Sequence, residues 1–522
     1  MEETQYKEGP GIKGLYSKLE TNRTVYLQRG RDCAKLTIPT LLPDAQANSA
    51  TTFKIPWQSV GARGTTNLSS ALLLSLLPPN QPFFRLVIDE QALQELQMVP
   101  GAKAELDSSL ASIERAVLRE IETNSFRVAL SEALKQLVVV GNVLCHIPPK
   151  GGMRVFRLDR YVVERDPMGN LKTVVIKEDV TPRTLPPEAR EIVARYGGGD
   201  TDATESCELF TCAKWNDGKI EVFQELYGYI VPGSEGTYDE DRSPFLALRF
   251  VSEQGSAYGR SYVEEYYGDL NSLEGLSRSL VEGSAAAAKV LFLCSPNGTT
   301  RPRDVARSSN GQIISGNATD ISVLQMQKFN DFRVALDMMN TISERLNYAF
   351  LLAETAIRKA ERVTAEEVRL VSNAVERALG GLYSVLAQEL QLPLVRRIMD
   401  RMTKAGKLPA IPKKYITPTI ITGVDALGRT QDLARLDTFV MGLTQVLGPD
   451  ALRHLRVDEY LSRRAAALSL DTTGLIKTEE ELAEEAQMAQ QAQIMADTIP
   501  PVATKVAGSL SGDQMAAAVA PT

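Results

Sequence analysis

The sequence predicts a mainly helical α+β fold, and three patterns support this prediction. Apolar residues recur every three or four positions from Phe332 to Leu346, which is the spacing of one helix face. A second apolar stripe of the same kind runs from Val368 to Leu386. In the N-terminal half, two β-prone runs flank Asn216-Asp-Gly218, and Asp-Gly is typical of a tight hairpin turn.

The composition is that of a globular protein and does not indicate a broad basic surface for binding nucleic acid. The 522 residues are 43% hydrophobic and 24% charged, with a net charge of -7. Their number suits two or three domains or one elaborated protomer. Proteins that hold nucleic acid tightly over a wide surface are usually basic, so any DNA contact should be local or loose. We expect no secretory signal and no membrane span, because the N-terminus is polar and the longest apolar run, Ala71 to Leu77, is short.

Cysteine and histidine usage argues against metal and His-based chemistry. Of five cysteines only Cys207 and Cys212 are close in sequence, and no nearby ligand pair completes a zinc site. We expect all five to be reduced thiols. The two histidines, His146 and His454, are far apart, and His146 lies in an apolar run that predicts a core or strand position. The sequence therefore predicts no catalytic residue, no cofactor and no metal.

The N-terminal part should alternate helices with short strands. Gly61-Ala-Arg-Gly64 leads into a helix that ends before Pro78-Pro79, and the valine-rich run Leu137 to Leu144 predicts a buried strand. The remaining expectations are a helix within 1–35 after a disordered start, an extended arm over 36–58, a strand over 82–88, helices over 102–123 and 126–137, strands over 153–157, 161–166 and 172–177, a surface loop over 197–206, and a hairpin of 207–215 with 219–229.

The C-terminal part should be built from long helices. Residues 258–262 are expected as the structural entry to a helix that runs from about 269 to 293, where Gly283 to Ala288 offer a small surface for close approach of another helix. Thr364 and Glu367 form a capping box that begins a helix, and Gly380-Gly381 and Pro393 should bend it. Other expectations are β-prone pieces at 312–315 and 321–325, a linker over 403–420, and helices over 424–446, 449–468 and from 478 onward.

Several segments, in order and spacing, resemble portal proteins (head-to-tail connectors) of short-tailed bacteriophages of the autographivirus type. The matching segments are Ile55-Pro-Trp-Gln58, Gly61-Ala-Arg-Gly64, Ala133 to Leu137 with Gly141-Asn142, Tyr258-Gly-Arg-Ser-Tyr262, Glu264 to Leu270, Arg362 to Glu367 and Leu390 to Arg397. The resemblance covers about residues 11–495. It implies a phage portal fold of wing, stem, clip and crown that assembles as a ring around a central channel.

The resemblance also implies an organisation of the chain. The expected regions are a wing with an N-terminal arm over 1–262, a first stem helix over 263–293, a clip over 294–327, a second stem helix over 328–352, a tunnel loop over 353–363, a long kinked wing helix over 364–402, a helical crown over 403–498 and a flexible C-terminal tail over 499–522.

The function implied by the resemblance is that of a homododecameric ring at one capsid vertex, through which double-stranded DNA is packaged and ejected. Its implied partners are the major capsid protein, the scaffolding protein, the terminase large subunit, the tail adaptor and nozzle proteins, and internal core proteins. The protein would be made in the host cytoplasm and reside in the virion. It would not be an enzyme.

The segment Glu354 to Val363 carries the candidate DNA contacts. A tunnel loop would present three basic side chains to the channel, those of Arg358, Lys359 and Arg362. The capping box formed by Thr364 and Glu367 would end the loop and begin the next helix. A planar guanidinium suits phosphate oxygens. The alternative is a solvated turn whose charges pair locally.

Two rival functions stay open at the level of sequence. Gly423 to Thr430 has the spacing of a nucleotide-binding P-loop, but Arg429 stands where the phosphate-binding lysine is needed. The other rival is a helical structural adaptor with no role in DNA passage.

Overall fold

The computed structural model describes most of the N-terminal four hundred residues and little beyond them. The described residues are 7–48, 50–79, 82–88, 102–197, 206–288, 291–324, 329–352, 370–371, 374–375, 377–409, 416–420, 437–443, 445, 460, 464 and 488. The chain divides into two compact units, 1–427 and 428–522, and the elements below belong to the first.

Helices and strands alternate in the N-terminal part and helices dominate afterwards, as predicted. The helices are α1 (Ile12–Leu36), α2 (Val60–Leu76), α3 (Ala102–Thr123), α4 (Phe126–Val140), α5 (Pro187–Tyr196), α6 (Tyr262–Glu265), α7 (Tyr267–Ala287), α8 (Pro302–Arg307), α9 (Phe329–Ala349), α10 (Gly381–Leu386) and α11 (Leu392–Lys404).

The strands are mostly short and antiparallel. They are β1 (Phe84–Ile88), β2 (Asn142–His146), β3 (Arg154–Phe156), β4 (Tyr161–Arg165), β5 (Leu171–Val180), β6 (Cys207–Asn216), β7 (Lys219–Leu226), β8 (Tyr229–Ile230), β9 (Gly236–Asp239), β10 (Phe245–Arg249), β11 (Val251–Ser252), β12 (Gly259–Arg260), β13 (Leu291–Cys294), β14 (Ile321–Leu324) and β15 (Ile416–Ile420).

The largest sheet has the order β4-β5-β6-β7-β8, with β9 paired to β7. Its central hairpin confirms the turn prediction, because Asn216 pairs with Lys219 and the two turn residues, Asp217 and Gly218, have φ values of 46° and 76°. Positive φ at both turn positions matches the right-handed twist of the strands. A smaller sheet, β10-β2-β3, covers the main core beside α4.

The predicted strand from Leu137 to Leu144 is wrong in its first half. Leu137 to Val140 complete α4, and the strand begins only at Asn142. Gly141 has a φ of 80° and donates its N–H to the Leu137 carbonyl, so this left-handed residue ends the helix. The valines are fully enclosed in the core, and this packing overrides their β preference.

The helix expected to run to Leu293 ends earlier, at Ala287, and Leu291 to Cys294 form β13. Its partner β14 agrees with the β-prone piece at 321–325, whereas 312–315 form no strand. The short helix α8 was missed by the sequence analysis, although Pro302 at its first position is a common helix start.

The segment 403–420 contains more structure than the predicted linker. Ile416 to Ile420 form β15, which pairs with β1 and places Pro418 opposite Leu86. Both strands of this two-stranded sheet are edge strands, and an edge tolerates the missing N–H of proline.

The predicted bend in the long helix after residue 364 has an observed cause at Gly380, whose φ of 51° interrupts the helical residues. A π-helical turn, Ala387–Gln391, then separates α10 from α11. Pro393 lies at the start of α11, where its missing N–H costs little. Within the described part of the chain, no helix is long and apolar enough to span a membrane.

Candidate DNA-channel segment and its anchors

All five predicted site residues lie outside the described residues. These are the channel candidates Arg358, Lys359 and Arg362 and the cap residues Thr364 and Glu367. The P-loop-like segment, 423–430, also lies outside them. The structure describes the two sides of the channel segment, namely α9 up to Leu352 and, after the gap, residues 370–371, 374–375 and 377–409.

The first flank is a pair of helices, α7 and α9, in direct contact. The helices approach closely at Gly283, since a Cβ there would lie 2.7 Å from Cε1 of Phe332. Arg345 Nη2 binds Asp269 Oδ1 at 3.0 Å near the opposite end of the pair. The close approach predicted for the small-residue surface is therefore confirmed at Gly283, and the approaching helix belongs to the same chain.

The end of α9 is held by an aromatic and polar anchor. Phe350 is completely buried, and its ring packs against those of Tyr262 and Tyr266. The Tyr262 hydroxyl donates to the Ala349 carbonyl at 2.8 Å, and the Asn67 side-chain amide donates to the carbonyl of Phe350 at 3.0 Å. Burial raises the pKa of Tyr262, so its hydroxyl remains a donor. The end of α9 is therefore held at a fixed point just before the candidate segment.

The Tyr258-to-Tyr262 cluster has the structural role that the sequence predicted. Asn142 bonds both backbone groups of Gly259, accepting from its N–H at 2.8 Å and donating to its carbonyl at 2.7 Å. The Tyr258 hydroxyl accepts from the Val163 N–H, and burial raises the pKa of Tyr258 to about 12. Ser261 caps α6 by accepting from the Glu264 N–H. These hydrogen bonds hold the backbone at the entry to the first long helix.

The second flank is fixed by a buried ionic cluster that the sequence analysis missed. The carboxylate of Asp400 lies 3.1 Å from Arg397 and 2.6 Å from Arg242, and Lys404 approaches it at 3.0 Å. Arg397 and Asp400 are each only 2% exposed. Buried charges of this kind require partners, because an isolated buried charge is strongly unfavourable. Arg397, Asp400 and Lys404 stand at helical spacing, but Arg242 is remote in sequence, so a local pattern could reveal only part of the cluster.

A second ionic group joins α11 to α3. Glu120 binds Arg401 at 3.0 Å and Lys407 at 2.8 Å. The hydrogen bond from Lys407 lowers the pKa of Glu120 and outweighs partial desolvation. Together the two ionic groups attach α11 to the N-terminal core.

Between α7 and α9 lies a small module, residues 291–324, built on the β13–β14 hairpin. Asp320 accepts hydrogen bonds from the hydroxyl of Thr299 and from both the N–H and the hydroxyl of Thr300. These donors, the Thr300 N–H first, lower the pKa of Asp320. The Thr300 hydroxyl also accepts from the Asn317 N–H at 2.8 Å. The module is therefore braced by its own side chains.

The two helices and the module leave large apolar side chains exposed. Tyr348 on α9 is 73% exposed and Phe292 in β13 is 69% exposed. The other exposed members are Val281, Leu293, Ile313, Ile314, Val334, Leu336 and Met338. A concentration of this kind marks an interaction surface.

The described part of the chain contains no site for metal chemistry or for thiol chemistry. Those residues contain no cluster of three or more potential metal ligands. All five cysteines are free thiols, as predicted, and burial raises the pKa of Cys33, Cys145 and Cys212 to about 12. His146 ends β2 and stacks on Phe245, in agreement with the strand position predicted for it.

Comparison with known proteins gives long and consistent matches. A family profile described as bacteriophage head to tail connecting protein matches residues 10–476. The portal protein of Escherichia phage T7 is 40% identical over 498 residues, which cover 93% of this chain and 91% of that protein. The portal protein of Enterobacteria phage T3 is 39% identical over 477 residues, covering 90% and 89%. The portal protein of Enterobacteria phage SP6 is 30% identical over 485 residues, covering 92% of each chain.

Among solved structures, a chain from the virion of a native gene transfer agent particle aligns with a TM-score of 0.33 and 14% identity, over 72% of this chain and 85% of that one. A TM-score this low supports no statement about the fold. The sequence matches are decisive. The relatives are named portal proteins and the family is described as a connecting protein, and neither name is that of an enzyme, in agreement with the prediction. The chain belongs to the bacteriophage head-to-tail connecting protein family, whose relatives here are portal proteins.

Proposed function

We propose that the chain assembles as a homododecameric ring at one vertex of the capsid and forms the channel for double-stranded DNA during packaging and ejection. The observation that carries this proposal is the family match over residues 10–476, together with the named portal relatives. In this proposal the chain resides in the virion after synthesis in the host cytoplasm.

The exposed apolar side chains on α7 and α9 support ring assembly. Val334, Met338 and Tyr348 lie outside the contact with α7, and a single chain leaves them in water. Contact with the helix pair of a neighbouring copy would bury them. Such a contact would join two different surfaces of neighbouring copies. Contacts of this kind close into a ring when the rotation from one copy to the next divides a full turn into equal parts.

The chain's charge suits a channel through which DNA must slide. Each phosphate neutralised by a basic side chain adds affinity through counterion release, so a strongly basic lining would retard movement. A ring of chains with a net charge of -7 is acidic as a whole. A small number of basic groups can then contact DNA without arresting it.

Those groups are proposed to be Arg358, Lys359 and Arg362 in a tunnel loop at 353–363. The support is the position of the flanks. The anchor at Phe350 fixes where α9 ends, and the cluster at Asp400 fixes α11. The proposed loop thus follows a fixed helix end and precedes a part of the chain that is itself attached to the N-terminal core.

The further partners that we propose from the family are the proteins that a connector contacts at each stage of head assembly. They are the major capsid protein, the scaffolding protein, the terminase large subunit, the tail adaptor and nozzle proteins, and internal core proteins. The regional assignment of wing, stem, clip, kinked helix, crown and tail given above is part of the same proposal.

Sedimentation of the purified protein tests the proposal. We expect a complex many times heavier than the 57.2 kDa chain, since the exposed apolar surface favours assembly. A stable monomer at micromolar concentration under several salt conditions would contradict the proposed ring.

A further inference from the structure

The segment between α1 and α2, residues 37–58, forms a loop that is fastened to α7, and we call it the arm loop. Its two ends are joined by the Gln58 side-chain amide, which donates to the Leu36 carbonyl at 2.6 Å. The carboxylate of Glu274 on α7 accepts the backbone N–H of Trp57 at 2.9 Å and that of Gln58 at 3.2 Å. One carboxylate therefore fixes the end of the arm loop beside the middle of α7.

The arm loop presents apolar side chains and an unpaired cation at this place. Ile55 is 82% exposed and Trp57 is 46% exposed. Phe53, Lys54 and Ile55 line a groove of about 640 Å³ whose wall includes Glu274 of α7. Lys54 is exposed and forms no ion pair with any residue that the structure describes. An exposed tryptophan beside an exposed isoleucine is typical of a contact surface, because large aromatic side chains supply much of the energy of protein interfaces.

The outer side of α9 carries groups that complement those of the arm loop. Met338 is 52% exposed, and Asp337 beside it is exposed and has no ion-pair partner among the described residues. The hydroxyl of Ser277 on α7 contacts Sδ of Met339 at 3.6 Å, so this part of α9 lies opposite Ser277. Ser277 is three positions, about one helical turn, from Glu274. The arm loop and the Asp337–Met338 surface therefore lie at similar levels along the helix pair.

We propose that the arm loop of one copy docks on α9 of the neighbouring copy. In this contact Ile55 and Trp57 pack against Met338 of the neighbouring copy. Lys54 pairs with Asp337 of the neighbouring copy. Rotation about a ring axis leaves every residue at its own height, so surfaces at the same level meet when the helix pair runs along that axis. The inference rests on the proposed ring and deepens it by naming a segment outside the helix pair that joins the copies.

Two observations favour a second copy of this chain as the occupant. Lys54 and Asp337 have opposite charges, and neither is neutralised within its own chain by a described residue, so a contact between copies neutralises both. The arm loop is also continuous with the surface proposed for the ring contact. Glu274, which holds it, and Val281, which is 53% exposed, are seven positions apart and hence lie on one side of α7.

Exchange of the two charges tests the contact. We expect Lys54→Glu and Asp337→Lys each to weaken association of the copies about tenfold, because each variant places like charges opposite one another. The double variant with both changes restores opposite signs and should recover most of the lost association. Sedimentation over a series of protein concentrations measures it. Lys219→Glu is the matched control, since Lys219 is exposed at the start of β7, and it should leave association unchanged.

Cross-linking identifies the surfaces that meet. In the double variant Ile55→Cys, Met338→Cys, a short bis-maleimide should join copies into a ladder that extends beyond two chains. Each copy then offers one new thiol to each of its two neighbours. The two single variants are the controls, because each lacks one thiol of the pair. They also show any background from the native thiols, of which Cys294 is the half-buried one and the other four are buried.

Three results would overturn the inference. They are unchanged association of both single charge variants, failure of the double charge exchange to recover association, and a cross-linked product that is absent or stops at two chains in protein that has formed rings. Circular dichroism verifies that each variant is folded. The unaltered protein judges the ring itself. A stable monomer there contradicts the proposed function, whereas the three results in a ring-forming protein contradict the arm-loop contact alone.

Discussion

Gly283 on α7 and Phe332 on α9 are in contact so close that glycine is the one residue type that fits without displacement. A Cβ at Gly283 would lie 2.7 Å from Cε1 and 3.0 Å from Cζ of the Phe332 ring. The absence of a side chain at this position therefore sets the distance between the two long helices that precede and follow the 291–324 module.

Replacement of Gly283 by leucine should separate the two helices. We expect Gly283→Leu to lower the free energy of unfolding by about 1–3 kcal/mol, the usual cost of overpacking. Gly275→Leu is the matched control, because no atom lies within 4 Å of a Cβ at Gly275 on the same helix. Urea denaturation followed by circular dichroism compares the two variants, and an equal effect at both positions would show that the contact does not determine the packing.

The stability of the fold should depend on pH through His146. Burial, assisted by the nearby Arg154 and Arg397, lowers the pKa of His146 to about 4. The unfolded chain takes up this proton near pH 6.5 and the folded chain only near pH 4, so the stabilising contribution is complete above pH 6.5 and is lost as the pH falls toward 4. From pH 7 to pH 5 the loss should be about 2 kcal/mol.

The variant His146→Gln removes this titration and should lose correspondingly less stability over the same range. Its absolute stability at pH 7 can be lower, because the stacking on Phe245 is altered. The measurement is the difference between pH 7 and pH 5 for each protein in urea denaturation. Equal differences for the two proteins would mean that His146 is not the responsible group.

The sequence predicted the local features well because their causes are local. The hairpin turn at Asp217-Gly218 and the break at Gly380 follow from residues that adopt positive φ easily. The end of α4 was misplaced because the burial of Leu137 to Val140 depends on distant parts of the chain.

The candidate site was predictable only in part. The Gly283 surface indicated a close helix contact, whereas the partners of Asp400 and Glu120 come from positions remote in sequence. No spacing pattern connects Arg242 to Asp400 or Glu120 to Arg401. The channel residues Arg358, Lys359 and Arg362 lie outside the described residues, and their role stays a prediction.

Neutralising the three basic residues of the channel segment should separate ring assembly from packaging and retention of DNA. In phage that carry Arg358→Gln, Lys359→Gln and Arg362→Gln together, rings and empty heads should form normally, because the flanks are held by independent contacts. The defect should appear in packaging or in retention of the genome, since phosphate contacts are lost. Particle number is compared with DNA content per particle. Heads that fill and hold DNA like those of the unaltered phage would exclude these side chains as channel contacts, and failure of ring formation would assign the segment a structural role.

Electron microscopy of the purified protein tests the central claim most directly. The account predicts a ring of identical copies around an open centre wide enough for a DNA duplex. The expected symmetry is twelvefold by resemblance to the family. A compact particle without a central opening, or an open filament of copies, would contradict the proposal that this chain forms the DNA channel of a phage head.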